Sequence, residues 1–238
     1  MARGTNLVKL LDLLRAEARI SLNPAHNQQT RDNHVSLLQR TQEWLWEDFD
    51  WPHLRVERDI SAQEGQRFYD VPDDITIDRI AEVWFRYGQR WTRLCPDISM
   101  AHYQQWDSDL DQRSWPVTNW RISENEMMEM WPIPAQDAEV DTLEGKIRVV
   151  GIRKLRPFVA NEDRADLDDR LITLYAAAEL LGAAGAKDAK LKLDLAGKHY
   201  AKLRGGMMPR RKFRMGGGDS ASTKDLLRGP PRVHYRTA

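Results

Sequence analysis

Trp44-Leu45-Trp46-Glu47-Asp48-Phe49-Asp50-Trp51-Pro52, running on through Arg55-Val56-Glu57 to Gly65-Gln66-Arg67-Phe68-Tyr69-Asp70-Val71-Pro72, is where one periodicity gives way to another. Apolar positions at helical spacing stop at Pro52, and an alternating pattern replaces them. Proline cannot continue a helix and pushes its predecessor toward extended geometry, so Trp51-Pro52 reads as the seam between a helical and a sheet-like part. Three tryptophans crowd that seam. Each can bury a large apolar area while its indole nitrogen finds a partner at the edge, which suits a joint between subdomains as well as an ordinary core.

Upstream of the seam, Leu7, Leu10, Leu11, Leu14 and Ala18 recur at helical spacing, with Thr5 or Asn6 available as a cap. Asn23-Pro24 then marks a turn, and Val35, Leu38, Leu45 and Phe49 lie on one face of a second helix. Two helices joined by a short link are expected as antiparallel neighbours.

Downstream, Val56, Asp59, Ile60 and Phe68-Tyr69 flank the turn-like Gln63-Glu64-Gly65 and read as a β-hairpin. Ile75 to Tyr87 is a longer strand candidate, turning at Gly88-Gln89 into a return strand with Trp91, Leu94 and Cys95. A brief helix is expected from Met100 to Trp106, its start favoured by Asp97 and Ser99. Trp115 to Ser123 and Met127 to Trp131 flank Glu124-Asn125-Glu126 as a second hairpin, and Trp131-Pro132-Ile133-Pro134 should break the pairing. Lys146 to Leu155 reads as the last strand.

Asn161 can cap a third helix with Glu162 and Asp163 in its first turn and Leu167, Leu171, Leu174, Ala178 and Leu181 on its buried face. Beyond Gly182 and Gly185, a fourth helix buries Ala186, Ala189, Leu193, Ala196, Tyr200 and Leu203, and Gly205-Gly206 ends it. The fold class is therefore α+β, a helical bundle of about four helices with an inserted antiparallel β subdomain and an extended C-terminal arm. The expected divisions are an N-terminal helix pair over 1–53, the β-rich insert over 54–157, the C-terminal helices over 158–204 and a basic arm over 205–238.

Charge supports that division. The 36 basic and 36 acidic residues cancel, yet the stretch from Gly205 onward holds eight Lys or Arg against two Asp. An acidic body thus carries a basic tail. The single cysteine, Cys95, excludes an intrachain disulfide and a cysteine-based zinc cluster, and is expected as a buried thiol in a reducing compartment. No basic-then-apolar leader opens the chain, and no window approaches ~18 uninterrupted apolar residues, so a soluble, unsecreted protein is expected.

Tests for chemistry come out negative. No phosphate loop, dinucleotide fingerprint, nucleophile elbow or zincin motif occurs. Gly216-Gly217-Gly218 follows no strand and reads as a linker. His26, His34, His53, His102, His199 and His234 are scattered, and only the fold could gather them around a metal. Glu124, Glu126 and Glu129, near Trp120 and Trp131, have the inventory of a glycosidase site, although solvated turn residues explain them better. No enzyme activity, catalytic residue, metal or cofactor is expected.

The tail is the candidate binding element. Met207, Met208, Phe213, Leu226, Leu227 and Tyr235 are spaced among Arg210, Arg211, Lys212, Arg214, Arg228, Arg232 and Arg236, a composition suited to ordering on another protein's groove. Arg210-Arg211-Lys212-Phe213-Arg214 also has the charge and the aromatic for phosphate contact and base stacking, which leaves a nucleic-acid-binding module as the alternative.

The order of parts resembles the head-to-tail adaptors of short-tailed bacteriophages, of the tail tubular protein A or head-completion type. The residues that carry the likeness are the early helix pair, Trp46 to Leu54, Gly65 to Asp74, Ile80-Ala81-Glu82-Val83, Trp115 to Trp120, and Met130 to Pro134. The resemblance implies a structural virion protein at the head-tail junction, assembled in the infected bacterium's cytoplasm. It implies a dodecameric ring of neighbouring copies, with the helical bundle around a DNA channel and the β subdomain facing outward or toward the tail. Its implied partners are the portal protein, reached by the C-terminal segment, a downstream tail or nozzle protein, and genomic DNA passing without sequence-specific binding; no membrane is involved.

Overall fold

The computed structural model describes residues 3–22 and 30–207. Within them the chain is α+β, with five helices and sheets whose pairings are mostly antiparallel. Helix α1 (Leu7–Glu17) starts at Asn6, whose side chain accepts a hydrogen bond from the Lys9 amide, and buries Leu7, Leu10, Leu11 and Leu14. Helix α2 (Arg31–Asp48) ends as Phe49 turns extended. Helix α4 (Asp169–Ala183) packs against α1, α2 and α5 (Asp188–Met207). It is apolar nearly all round, and Ala176, Ala177 and Ala178 let its neighbours approach closely.

Two helix boundaries differ from expectation. Helix α4 begins not at Asn161 but at Asp168, whose carboxylate accepts from the Leu171 amide at 3.0 Å. The stretch before it is occupied otherwise: Asp163 accepts from the amides of Val159 and Ala160, and Asn161 accepts from Arg31. Those bonds make local turns that compete with helix. At the other end, Gly205 and Gly206 do not stop α5, which continues to Met207. A glycine in a helix costs only ~1 kcal/mol, less than Tyr200, Leu203 and the part-buried Met207 gain on the helical core.

The strands form β1 (Arg55–Ser61), β10 (Lys146–Arg153), β3 (Ile75–Tyr87) and β4 (Arg90–Arg93) side by side in that order. A second sheet orders β2 (Phe68–Tyr69), β8 (Met128–Trp131), β7 (Asn119–Ile122) and β5 (Cys95–Pro96). The hairpins β3–β4 and β7–β8 are as the turns predict. The expected hairpin between Val56 and Tyr69 does not form, because β1 pairs with β10 and β2 with β8. Strand β10, rich in β-branched residues buried on both faces, takes the central place between β1 and β3. Ile133-Pro134 resumes pairing instead of breaking it, as β9 (Ile133–Pro134) beside β6 (Arg113–Ser114). Cys95, on the short edge strand β5, is exposed and not buried.

The two larger sheets enclose one apolar cluster that includes Tyr69, Val83, Phe85, Met128, Met130, Ile147 and Val149. Helices α1, α2, α4 and α5 enclose another. Strand β10 reaches both, with Ile147 and Val149 in the sheet cluster and Ile152 in the helical one. Between them Gly151 sits where a Cβ would meet the Arg79 carbonyl at 2.8 Å, so the strand passes only with glycine there.

The tryptophans expected at the seam divide their work. Trp51 is fully buried and donates its indole N–H to the Leu45 carbonyl at 2.8 Å. Trp46 is half-buried, donates to the Arg153 carbonyl at 3.1 Å, and carries the Arg79 guanidinium 4.5 Å above its ring. Arg79, reaching from β3, also donates to the carbonyls of Trp46 and Glu47 at 2.6 and 2.7 Å, two of the orphan acceptors at the end of α2. Trp44 points away from the seam altogether.

Candidate protein-docking groove

Trp44 projects from the flank of α2 with 48% of its surface exposed, against an edge of the Tyr175 ring on α4, centroids 5.2 Å apart. On α4, Tyr175, Ala178 and Gly182 are three to four residues apart and so share one stripe. Because Ala178 and Gly182 are small, the stripe sinks into a floor. Ala189 and Leu193 of α5 form the far wall, and an ion pair between Arg40 and Glu179 closes the rim. The result is a mostly apolar groove of 540 Å³ between three helices. Leu193 was expected in the core, since it shares a stripe with Ala196, Tyr200 and Leu203. It is instead 51% exposed in this groove.

The two halves of α5 contrast. In the C-terminal half Ala196, Tyr200 and Leu203 are buried, and the Tyr200 hydroxyl bonds to Asp48. Burial, reinforced by the Asp48 charge, pushes that hydroxyl up to about 12. Arg204 reaches Asp48 at 3.5 Å and lies over the Phe49 ring. In the N-terminal half Leu191, Leu193 and Leu195 are all exposed. A helix buried along one half, with large leucines uncovered among charged residues along the other, offers surface for a protein contact.

Among the candidate arm residues, Met207 is the last residue of α5, part-buried against the helical core. Met208, Arg210, Arg211, Lys212, Phe213, Arg214, Leu226, Leu227, Arg228, Arg232, Tyr235 and Arg236 lie outside the described residues, as does Gly216-Gly217-Gly218.

The glutamates do not form an acid–base pair. Glu124 and Glu126 are exposed turn residues, whereas Glu129 is buried beneath them. Glu129 accepts from Arg67, Tyr103 and Arg121 at 2.7–2.8 Å. Burial alone would raise its pKa, but those hydrogen bonds outweigh burial and hold it below the usual range. A general acid needs the opposite shift. Glu129 is thus a structural anchor that ties β2, β7 and β8 to helix α3 (Met100–Gln105), itself capped by Ser99 as expected.

The histidines are separately engaged: His53 with the Asp166 carbonyl, His102 with Ser99, His199 with Asp168, while His34 is buried and lowered by that burial and by Arg15. His26 and His234 lie outside the described residues. Among the described residues no three His, Cys, Asp or Glu side chains are placed to hold a metal ion, and no helix is long and apolar enough to cross a membrane.

The groove is not among the features expected from the sequence, which holds only hints of it. Leucines at 191, 193 and 195 cannot share one helix face, and Trp44 immediately precedes the buried Leu45. Compared with known protein families, the chain matches the one described as SU10 adaptor protein over residues 8–224. No curated protein matches it.

Proposed function

The chain belongs to the SU10 adaptor family, a family of phage structural adaptors, and from that premise we propose that copies of it close into a ring beneath the portal, joining capsid to tail around the DNA channel. In this reading the four long helices act as one bundle, and the β-rich part projects from it toward the tail. Twelve copies are expected, to match the ring of the resemblance.

The observation that carries the reading beyond family membership is the open apolar groove on the helical body. A subunit finished as a monomer rarely leaves Trp44 and Leu193 uncovered side by side, whereas a ring subunit needs lateral apolar surface. The seam fits the same role, because Arg79, Trp46 and Trp51 hold sheets and helices in a fixed relation. The segment after Met207, with Phe213, Leu226, Leu227 and Tyr235 among eight basic residues, is proposed to dock on the portal. The acidic excess upstream would repel DNA from the channel wall and ease its passage.

The test is co-sedimentation of purified chain with the portal of the same phage, compared with a chain ending at Met207. The proposal expects the full chain to sediment with the portal and the shortened chain to fold normally yet remain in the supernatant. A nucleic-acid module acting through the tail would instead lose a salt-sensitive affinity for duplex DNA while keeping portal attachment.

A further inference from the structure

Helix geometry sets the argument. At about 100° per residue, Leu191 and Leu195 lie ~160° from Leu193, on the opposite flank of α5. They are 57% and 40% exposed, so the helix is uncovered on two opposed faces. One face is concave, the wall of the groove. The other lies beside the end of α1.

The placement of α1 follows from its contacts. Glu17 pairs with Lys192, and Arg19 pairs with Asp188 at 2.8 Å, so the end of α1 lies beside the start of α5. At the opposite end, the backbone of Arg3 forms an isolated β-bridge with that of Asp168, and the Asp168 carboxylate meets His199 at 2.9 Å. The two helices therefore run antiparallel. Leu13, exposed one turn back from Glu17, and Leu195, one turn on from Lys192, advance together along this flank. With Leu191 they are the exposed leucines of this flank, a ridge set around the Glu17–Lys192 pair.

Two different uncovered apolar surfaces on opposite sides of one subunit are the requirement for head-to-tail association. A two-fold dimer needs only a single self-complementary patch. We infer that the occupant of the Trp44–Tyr175–Leu193 groove is a second copy of this chain, which inserts its Leu13–Leu191–Leu195 ridge, and that this contact repeats around the ring. The inference rests on the ring proposed above and assigns its lateral interface. Ridge and groove each carry three large apolar side chains. The groove's lining also holds the Arg40–Glu179 pair and Lys190, so a neighbour's leucines enter between a neutralised pair and one lysine.

The experiment replaces Trp44 and Leu195 by cysteine in a Cys95→Ser background and adds a short bis-maleimide cross-linker to full-length chain assembled on portal. All three positions are exposed, and melting temperature checks that the variants fold. The Trp44→Cys/Leu195→Cys chain is expected to give a ladder of dimers, trimers and higher species, and each single variant only monomers. Separately, Leu193→Asp should cut ring occupancy on the portal more than tenfold without lowering the melting temperature. Dimers from either single variant would show two-fold pairing and overturn the inference. So would rings visible by electron microscopy that give no ladder, or wild-type occupancy by Leu193→Asp, since the groove would then serve the portal or the chain's own C-terminal segment. Absence of any ring in images of the wild-type chain on the portal would remove the ring proposal itself, whereas rings lost only from the Trp44→Cys/Leu195→Cys chain would support the contact, since those residues make it.

Discussion

Replacing Arg79 by alanine tests how the sheets are fixed to the helices. Its guanidinium donates to two carbonyls at the end of α2, stacks on Trp46, and pairs with Asp50 at 2.6 Å. Asp50 is 75% exposed, so that pair contributes ~0–1 kcal/mol. A hydrogen bond from a charged donor is worth ~1.5–3 kcal/mol, and the stack adds ~0.5–1. These contributions share one side chain and do not add fully, which puts Arg79→Ala on the order of 3 kcal/mol. For a chain of this length that lowers the melting temperature by roughly 6–12 °C. Lysine should recover less than half, because an ammonium cannot span both carbonyls and stack at once. Thermal unfolding measures the loss, and hydrogen exchange in the last turn of α2 locates it. A fall below ~2 °C, or full rescue by lysine, would refute the account of the seam.

Other predictions follow from the same physics. Glu129→Ala should cost about 3 kcal/mol at pH 7, since it leaves Arg67 and Arg121 facing an emptied anchor. Because the folded pKa of Glu129 is depressed, its contribution is full above the ordinary value of 4.5 and disappears as pH falls through the folded value; a gap between wild type and variant that widens in acid would contradict this. Asp169 is shifted the other way, raised chiefly by burial and also by Asp168, so its charge is a cost at neutral pH that shrinks as pH falls. Asp169→Asn should therefore keep or raise the melting temperature at pH 7, and a clear drop would count against the assignment. Gly151→Ala should cost ~1–3 kcal/mol through the clash with the Arg79 carbonyl, read as a lower denaturant midpoint. By contrast, Gly182→Ala meets open space and should stabilise α4 by about 0.5–1 kcal/mol while placing a methyl on the groove floor, so that melting rises and ring formation weakens.

Much of the fold was legible because local signals agreed with tertiary packing. Leu7, Leu10, Leu11 and Leu14 with the Asn6 cap specified α1, and Gly88-Gln89 specified the β3–β4 turn. Pairing over long sequence distances was not legible. Nothing local in Val56 or Ile60 says that their partners are Gly151 and Ile147, and the nearer Tyr69 looked an equally good mate. Asn161 misled for a related reason: its side chain was a sound cap, but Asp163 and Asp166 had claimed the backbone around it. The groove failed to appear because periodicity marks Leu193 as a core position. Only the arrangement of α2 and α4 shows that no side chain of the described residues covers it.

Cryo-electron microscopy of the portal with this chain bound tests the account most directly, at a resolution that shows side chains. The account predicts a closed ring in which Leu191 and Leu195 of each copy fill the Trp44–Leu193 groove of the next, with the tail end of each chain on the portal. Single copies scattered on the portal, or a ring whose grooves stand open, would contradict it.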